Sequence, residues 1–410
     1  WKNTKIMNDT INCQTDSMII KTLSKDLFFY HNTRLKKDSM TIKSNDMRYD
    51  YNNQFLYYYN SGSVTNSAYE IKSETMTHDT QKNSSVFNKN VMLKSNNYEI
   101  ASNQIILEKK IITFGEATSI KENNSNITCN QGFLRNNNYL ELSDDVIVNI
   151  DNTIIQSDVL KKEIEKKTSQ FIKNIKVTLE DQTELFSQEM IKNDSIILMN
   201  NNCKIKIINK NESILIQGDS IKIDDKNKEI DINNNVTILG ENLEGKCELL
   251  TFRSNYQNIT MYQDPVLWLS DKQVTGESIV IYKKNNIIDS IYIEKNPFIV
   301  SSIDSLKYYN QIKGRWMEGK FQNTHINYIQ IHGNSKMKYF DKNSNNQIGM
   351  NDVESGRIKL VFNRNELQQV LCFEEIESNY IEITSDKYDS NTPTSFYLDG
   401  FNLQHRLELQ

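Results

Sequence analysis

The sequence contains little glycine, almost no proline and few cysteines. Its 410 residues include 13 glycines and 3 prolines. Turns that need a left-handed backbone must therefore use asparagine and aspartate, whose short side chains tolerate that conformation better than most. The cysteines are odd in number and include no CxxC pair, so the sequence predicts neither a complete disulfide framework nor a zinc site. They are Cys13, Cys129, Cys203, Cys247 and Cys372.

Long apolar runs and charge of one sign are also missing. No run approaches the roughly 20 residues that a membrane-spanning helix requires, and no signal peptide is visible. Because Trp1 stands directly before a segment that already reads as a repeat, we expect a leader to precede it. The net charge of −5 comes from 48 basic and 53 acidic residues in scattered positions. With no basic face, the sequence does not favour nucleic acid as a partner.

Motifs for catalysis and metal binding are absent or incomplete. There is no nucleophile elbow, phosphate loop, HExxH or dinucleotide fingerprint. The acid pairs Asp144-Asp145 and Asp224-Asp225 fall at predicted turns, where a structural role is expected. Asp341 to Asp352 spaces its oxygen ligands as a calcium loop does, but Asn346 stands where glycine is needed. We therefore expect no catalytic residue, no metal and no cofactor.

A pattern of about 29 residues organises the chain. The stretch from Met40 to Val64 recurs from Ile71 and again from Ile100, with the same hydrophobic spacing. Such recurrence is typical of an array of supersecondary units. Aligned repeats share a small residue, which predicts a crease where each strand bends, because a bulky side chain would obstruct the bend. The column comprises Cys13, Ser44, Ser73, Ser102, Cys129, Ser157, Ser187, Gly218, Gly245 and Gly276.

The repeat predicts an all-β fold of stacked short strands. Alternating apolar residues and Asn- or Asp-rich turns indicate about three strands per repeat and about 11 or 12 rungs, each rising about 4.8 Å. The Lys- and Glu-rich segment from Ser157 to Asn174 lacks a continuous apolar stripe, so strand–turn–strand is predicted there as well. After Gly276 the period lengthens, and from Ser378 it fades. We expect a continuous array over residues 1–375 and an atypical tail or cap over 376–410.

Alternation also predicts which side chains face the inside of the stack. If two sheets close fully, these residues form a packed core. If the sheets splay, the same residues line an apolar groove wide enough for acyl chains, and the pattern alone favours neither. The candidates are Ile42, Met47, Tyr49, Phe55, Tyr57, Val64, Ile71, Met76, Phe87, Val91, Leu93, Ile100, Ile105 and Leu107.

Several of these motifs resemble the OstA/LptA family of lipopolysaccharide-transport proteins. The resemblance lies in the stretches Ile42 to Asp50 and Ile216 to Ile221 and in the pairs Asn90-Val91 and Asn235-Val236. The stretch from Tyr262 to Trp268 is similar to the long OstA-like proteins of Bacteroidota.

The resemblance implies a V-shaped β-jellyroll in the periplasm, with association with the outer membrane as a further option. Such a protein would hold the acyl chains of lipopolysaccharide in a groove between the inner and outer membranes and have no enzymatic activity. Its partners would be other jellyroll components, joined end to end by β-augmentation, with self-association as a further option. The alternatives are a parallel β-helix that binds or processes polysaccharide, and a closed β-solenoid that serves as a spacer.

Overall fold

The computed structural model describes most of the chain. The described residues are 2–7, 11–37, 39–115, 117–209, 212–241, 243–254, 257–284, 287–304, 308–322, 325–342, 348–364, 366–383 and 394–407. The candidate calcium loop lies partly outside these residues, since 343–347 are not among them. Within the described ranges, no helix is long and apolar enough to span a bilayer.

The chain divides into two compact units, residues 1–194 and 195–410. In unit 1 the strands are β1 Lys2–Met7, β2 Ile11–Lys21, β3 Asp26–Lys37, β4 Met40–Asp50, β5 Phe55–Thr65, β6 Tyr69–Ser73, β7 Thr75–Asp79, β8 Ser84–Ser95, β9 Glu99–Glu108, β10 Ile111–Phe114, β11 Thr118–Glu122, β12 Ser125–Cys129, β13 Gln131–Arg135, β14 Tyr139–Ile150, β15 Thr153–Glu163, β16 Thr168–Thr178 and β17 Glu184–Asn193.

In unit 2 the strands are β18 Ile196–Asn209, β19 Glu212–Asp224, β20 Glu229–Leu239, β21 Leu243–Arg253, β22 Asn258–Tyr262, β23 Val266–Leu269, β24 Lys272–Thr275, β25 Ser278–Lys284, β26 Ile287–Ile293, β27 Phe298–Asp304, β28 Tyr308–Lys313, β29 Trp316–Gln322, β30 His325–Lys342, β31 Ile348–Asn363, β32 Glu366–Phe373 and β33 Glu377–Ile383. A 3-10 turn at Thr394–Phe396 follows.

The predicted all-β, jellyroll-like repeat architecture is confirmed. Every strand pairing in the described residues is antiparallel, and successive long strands such as β3, β4 and β5 pair in chain order, so the chain runs in a zigzag within each unit. The segment from Ser157 to Asn174 is strand–turn–strand, as expected, with its turn at residues 164–167. Antiparallel pairing also rules out the parallel β-helix as the architecture of the described residues.

Each repeat contributes two long strands that bend in the middle, and not three short ones. Between Ser44 and Ser73 the chain completes β4, traverses β5 and enters β6. Two strand spacings of about 4.8 Å give a rise of about 10 Å per repeat. The bends fold the strands of unit 1 into two half-sheets that face each other across the core. We call them half-sheet A, which contains Ile42, and half-sheet B, which contains Met47.

One kind of bend is built on the column of small residues. The hydroxyl of Ser44 points into the bend and donates to the carbonyl oxygen of Ser61 at 2.9 Å and of Asp46 at 3.4 Å. Where the column holds Gly218, an added Cβ would lie 2.5 Å from Cγ2 of Ile232. The same hydrogen bond, from a side-chain hydroxyl to the carbonyl oxygen two residues later, recurs at Thr15, Ser73, Ser102, Ser157, Ser187 and Ser355.

Two members of the predicted column lie two residues before the bend. Cys13 pairs with Leu35, which pairs with Ile42, so Cys13 occupies the apolar position and Thr15 occupies the bend. Likewise Gly245 pairs with Ile238, while Cys247 occupies the bend. Both corrections shift the alignment by two residues, and a shift of two preserves the inward face, so alternation gave no warning.

The other kind of bend uses two consecutive left-handed residues. Lys173 and Asn174 have φ of 63° and 49°. The amide Nδ2 of Asn174 donates to Asp158 Oδ2 at 3.0 Å. This geometry explains why an Asn or Asp precedes the apolar residue in most repeats, since short polar side chains tolerate the left-handed region. Equivalent pairs are His31/Asn32, Asn60/Ser61, Lys89/Asn90, Asp144/Asp145, Asn201/Asn202, Asn234/Asn235, Gln263/Asp264 and Glu374/Glu375.

The C-terminal residues 394–407 pack back onto unit 2. Phe396 joins a buried cluster with Phe340 and Met350, and Leu398 joins another with Phe298 and Val300. All four residues of β23 are buried. Gln273 and Glu244, which pair with Trp268 of β23, both contact the returning segment, so this segment lies on the side of β23 that faces away from the core.

Candidate functional site

Ten of the fourteen predicted inward residues lie in the core of unit 1, next to the bends. Each is at most 2% exposed. In these rows half-sheet A and half-sheet B pack directly on each other, so the interior is filled. The ten are Ile42, Met47, Val64, Ile71, Met76, Phe87, Val91, Leu93, Ile100 and Ile105.

The remaining four lie elsewhere. Tyr49 and Leu107 are half-buried, farther from the bends. Phe55 and Tyr57 were predicted to face inward, and this was wrong. Tyr57 pairs with Arg48, whose guanidinium lies 5.7 Å from the tyrosine ring centroid.

The inward positions on β5 belong to Leu56 and Tyr58. Tyr58 pairs with Met47 and is fully buried, with its hydroxyl 2.5 Å from Oγ of Ser73. A one-residue shift moves every side chain of a strand to the other face. Since the apolar run from Phe55 to Tyr59 shows no alternation, the sequence carried no signal for its register.

The buried cysteine thiols are unreactive at neutral pH. Burial raises the pKa of Cys13, Cys129 and Cys203 to about 11 and that of Cys247 to about 12. Thiols with such values stay protonated at neutral pH and are poor nucleophiles.

The paired acids occupy turns and bends. Asp144 and Asp145 form one of the left-handed bends. Asp224 Oδ1 accepts the backbone N–H of Asn227 at 3.0 Å within a turn, which lowers the pKa of the carboxyl group. Both pairs therefore have structural roles in the described residues.

Opposite the bends, the two half-sheets of unit 1 end in turns that face each other across an opening, which we call the mouth. Two polar contacts bridge it. The Tyr98 hydroxyl, on the A side, donates to Asn137 Oδ1 on the B side at 3.2 Å. Glu122 on the A side forms an ion pair with Lys162 on the B side, and both side chains are largely buried. These partners are 39 and 40 residues apart, and no sequence motif marked them.

A cavity of about 480 Å³ lies beneath the mouth, between the half-sheets. Its apolar lining includes Ile127 and Val148 from half-sheet A and Leu160 and Phe171 from half-sheet B. The volume falls within the range of about 300–1,000 Å³ that is usual for small-molecule sites. These four side chains are at most 3% exposed and belong to the filled rows beside the bends, so they form the floor of the cavity, which lies between them and the mouth.

The rim of this cavity carries several cations. Lys162, Lys167 and Lys192 line it from half-sheet B, together with Asp194 and, from half-sheet A, Glu122. An apolar floor below ammonium groups can hold an alkyl chain and, at its outer end, an anionic group such as a phosphate. The arrangement fits an amphiphile better than a fully polar or fully apolar ligand.

Residues 2–103, about a quarter of the chain, match the family model of OstA-like proteins. The match supports an OstA/LptA-like family assignment, and this family has transport and binding functions. A search of curated proteins found no match to the chain.

Proposed function

We propose that this OstA-like protein is a non-enzymatic carrier of lipopolysaccharide in the periplasm. Acyl chains would enter between the half-sheets of unit 1, and the anionic headgroup would remain at the lysines of the mouth. The observation that carries the proposal is the cavity below the mouth, with its apolar floor and its cationic rim. The family match supports a transport-type function, for lipopolysaccharide or organic solvent.

Loading requires the mouth to widen. Widening would break the hydrogen bond between Tyr98 and Asn137 and the ion pair between Glu122 and Lys162. Loss of the hydrogen bond alone would cost about 1 kcal/mol net. Burial of acyl carbons, worth about 0.8 kcal/mol per methylene, would offset that cost after a few methylenes. The bends would act as the hinge side, since their backbone hydrogen bonds need not change.

A carrier that bridges the inner and outer membranes also needs partners at its ends. We propose that terminal strands pair with strands of other jellyroll components, or of a second copy, because the edge of a sheet presents unpaired peptide groups.

A photoreactive side chain tests the carrier function. p-Azidophenylalanine at Phe171, which lines the cavity, should capture lipopolysaccharide in cells. The same group at the adjacent Ile172, on the opposite face of the strand, is the matched control and should capture none. Equal capture at both positions, or capture at Ile172 alone, would contradict the proposal.

A closed spacer is the second candidate, because the ten core residues beside the bends leave no room for a ligand. Joining Glu122→Cys to Lys162→Cys with a short bis-maleimide would hold the mouth shut. A carrier should then lose lipid capture at Phe171 and its cellular function. A spacer should keep its function when locked, and the single cysteine variants treated with the same reagent serve as controls.

A further inference from the structure

The outer face of unit 2 carries two buried glutamines that hold the C-terminal segment by its backbone. Gln311 Nε2 donates to the carbonyl oxygen of Phe396 at 2.9 Å, and its Oε1 accepts the N–H of Leu398 at 2.8 Å. Gln273 does the same with Asn402 and Gln404, at 2.7 and 2.8 Å. We call this pair the glutamine clasp.

The clasp recognises extended polypeptide irrespective of its side chains. In each case the carboxamide contacts one carbonyl and one N–H two residues apart, as a neighbouring β-strand would. Gln273 is 3% exposed and Gln311 is 1% exposed. Burying a carboxamide without hydrogen-bond partners would cost about 1–3 kcal/mol, so an occupant that covers the site must offer a carbonyl and an N–H to each glutamine.

An apolar strip beside the clasp adds a second requirement. The segment helps to bury Phe298, Val300 and Tyr309, through Leu398 and the rings of Tyr397 and Phe401. Ring centroids of Tyr309 and Phe401 lie 5.5 Å apart. Without the segment, the strip would be an exposed hydrophobic patch of the kind that marks interaction sites.

Polar contacts fix the direction and register of the segment. Lys246 Nζ donates to Gln404 Oε1 at 2.8 Å, and Arg406 lies 3.6 Å from the Glu244 carboxylate. Lys313 Nζ donates to the carbonyl oxygen of Asp399 at 2.6 Å. The occupant is therefore held as a ligand would be, by backbone pairing, apolar anchors and end contacts.

We propose that the glutamine clasp is an exchangeable docking site whose second occupant is the C-terminal segment of another copy of this chain. That segment carries every contact just described, so it fits the site in trans as it does in cis. Exchange of an identical element between copies needs no new interface. The proposal does not depend on lipid carriage.

Thiol crosslinking on the full-length chain tests exchange, in a Cys372→Ser background that removes the least buried thiol. A tagged Lys246→Cys chain is mixed with an untagged Gln404→Cys chain and treated with a short bis-maleimide. We expect a crosslinked heterodimer whose yield rises with protein concentration and incubation time. A chain carrying both cysteines should crosslink within itself when dilute.

Two controls separate docking from random collision. Lys226→Cys, on an exposed lysine in the turn between β19 and β20, should give only background crosslinking with Gln404→Cys. Leu398→Asp in the Lys246→Cys chain weakens that chain's own segment and leaves its clasp intact, so it should raise the heterodimer yield several-fold. Because the glutamine contacts to the backbone of the segment remain, circular dichroism should show an intact fold. Heterodimer at background level at every concentration, or a yield unchanged by Leu398→Asp, would overturn the proposal.

Discussion

His78 predicts a specific acid sensitivity of unit 1. Its side chain is 2% exposed on β7, paired with Leu56 on one side and Ser85 on the other. Nδ1 lies 2.9 Å from Oγ of Ser85, and Nε2 is buried without a hydrogen-bond partner. Burial lowers the pKa of His78 to about 4, helped by the charge of Lys37 and opposed by that of Asp79.

The sign and size of the effect follow from linkage. In the unfolded chain the pKa of His78 is about 6.5, so between pH 6.5 and 4 the unfolded state binds more protons than the folded state. The stability is therefore complete above pH 6.5 and is lost as the pH falls towards 4. A pH of 5 lies about 1.5 units below the unfolded pKa, and this difference corresponds to a loss of about 2 kcal/mol in the free energy of unfolding.

The double variant His78→Leu, Ser85→Ala removes the titrating group and its hydroxyl partner together. Its loss of stability between pH 7.5 and 5.0 should be about 2 kcal/mol smaller than that of the wild type. Urea denaturation read by hydrogen exchange of peptides from β7 and β8 measures this in unit 1. The exposed His405, changed to glutamine, should leave the difference unaltered. An equal pH response in wild type and double variant would refute the assignment to His78.

Two further substitutions test the bends. Gly218→Val should lower the free energy of unfolding, measured by urea denaturation, by about 2 kcal/mol or more, because the valine side chain would overlap Ile232. Gly115→Ala should change stability little, because a Cβ there meets nothing within 4 Å. Equal costs would contradict steric restriction at the column. Asn235→Val should lose about 1–2 kcal/mol of stability because valine is strained in the left-handed backbone of this position, and it should also lose the hydrogen bond to Asp219. Asn235→Gly should lose only the hydrogen bond. A valine variant as stable as the wild type would refute the argument from backbone strain.

The sequence predicted much of the fold because the repeat encodes it redundantly. Small residues such as Ser44 and left-handed pairs such as Asn234-Asn235 recur at each bend, so ten units support one reading. The prediction failed at Phe55 and Tyr57, where five consecutive apolar residues gave no alternation. In that hairpin Met47 pairs with Tyr58 and Tyr49 with Leu56, so the inward residues have odd numbers on this part of β4 and even numbers on the facing part of β5.

The candidate site was predicted less well than the fold. Which residues face inward could be inferred, but whether the halves touch depends on contacts across the mouth, and periodicity does not report on them. Glu122 and Lys162 meet because the half-sheets are folded together, and neither residue is unusual in its local sequence. The glutamine clasp was missed for the same reason, since Gln311 and Phe396 are 85 residues apart.

The returning C-terminal segment has a consequence for how the protein is made. Pairing along the zigzag joins neighbouring strands, so most of the array can form as the chain leaves the ribosome. Lys246 and Gln404 are 158 residues apart, so this contact must wait until Gln404 has been synthesised. Until then Phe298 and Val300 lack the cover of Leu398. Nascent chains of this protein should thus be most prone to aggregation, and most in need of chaperones, after β28 has been synthesised and before residues 394–407 have followed.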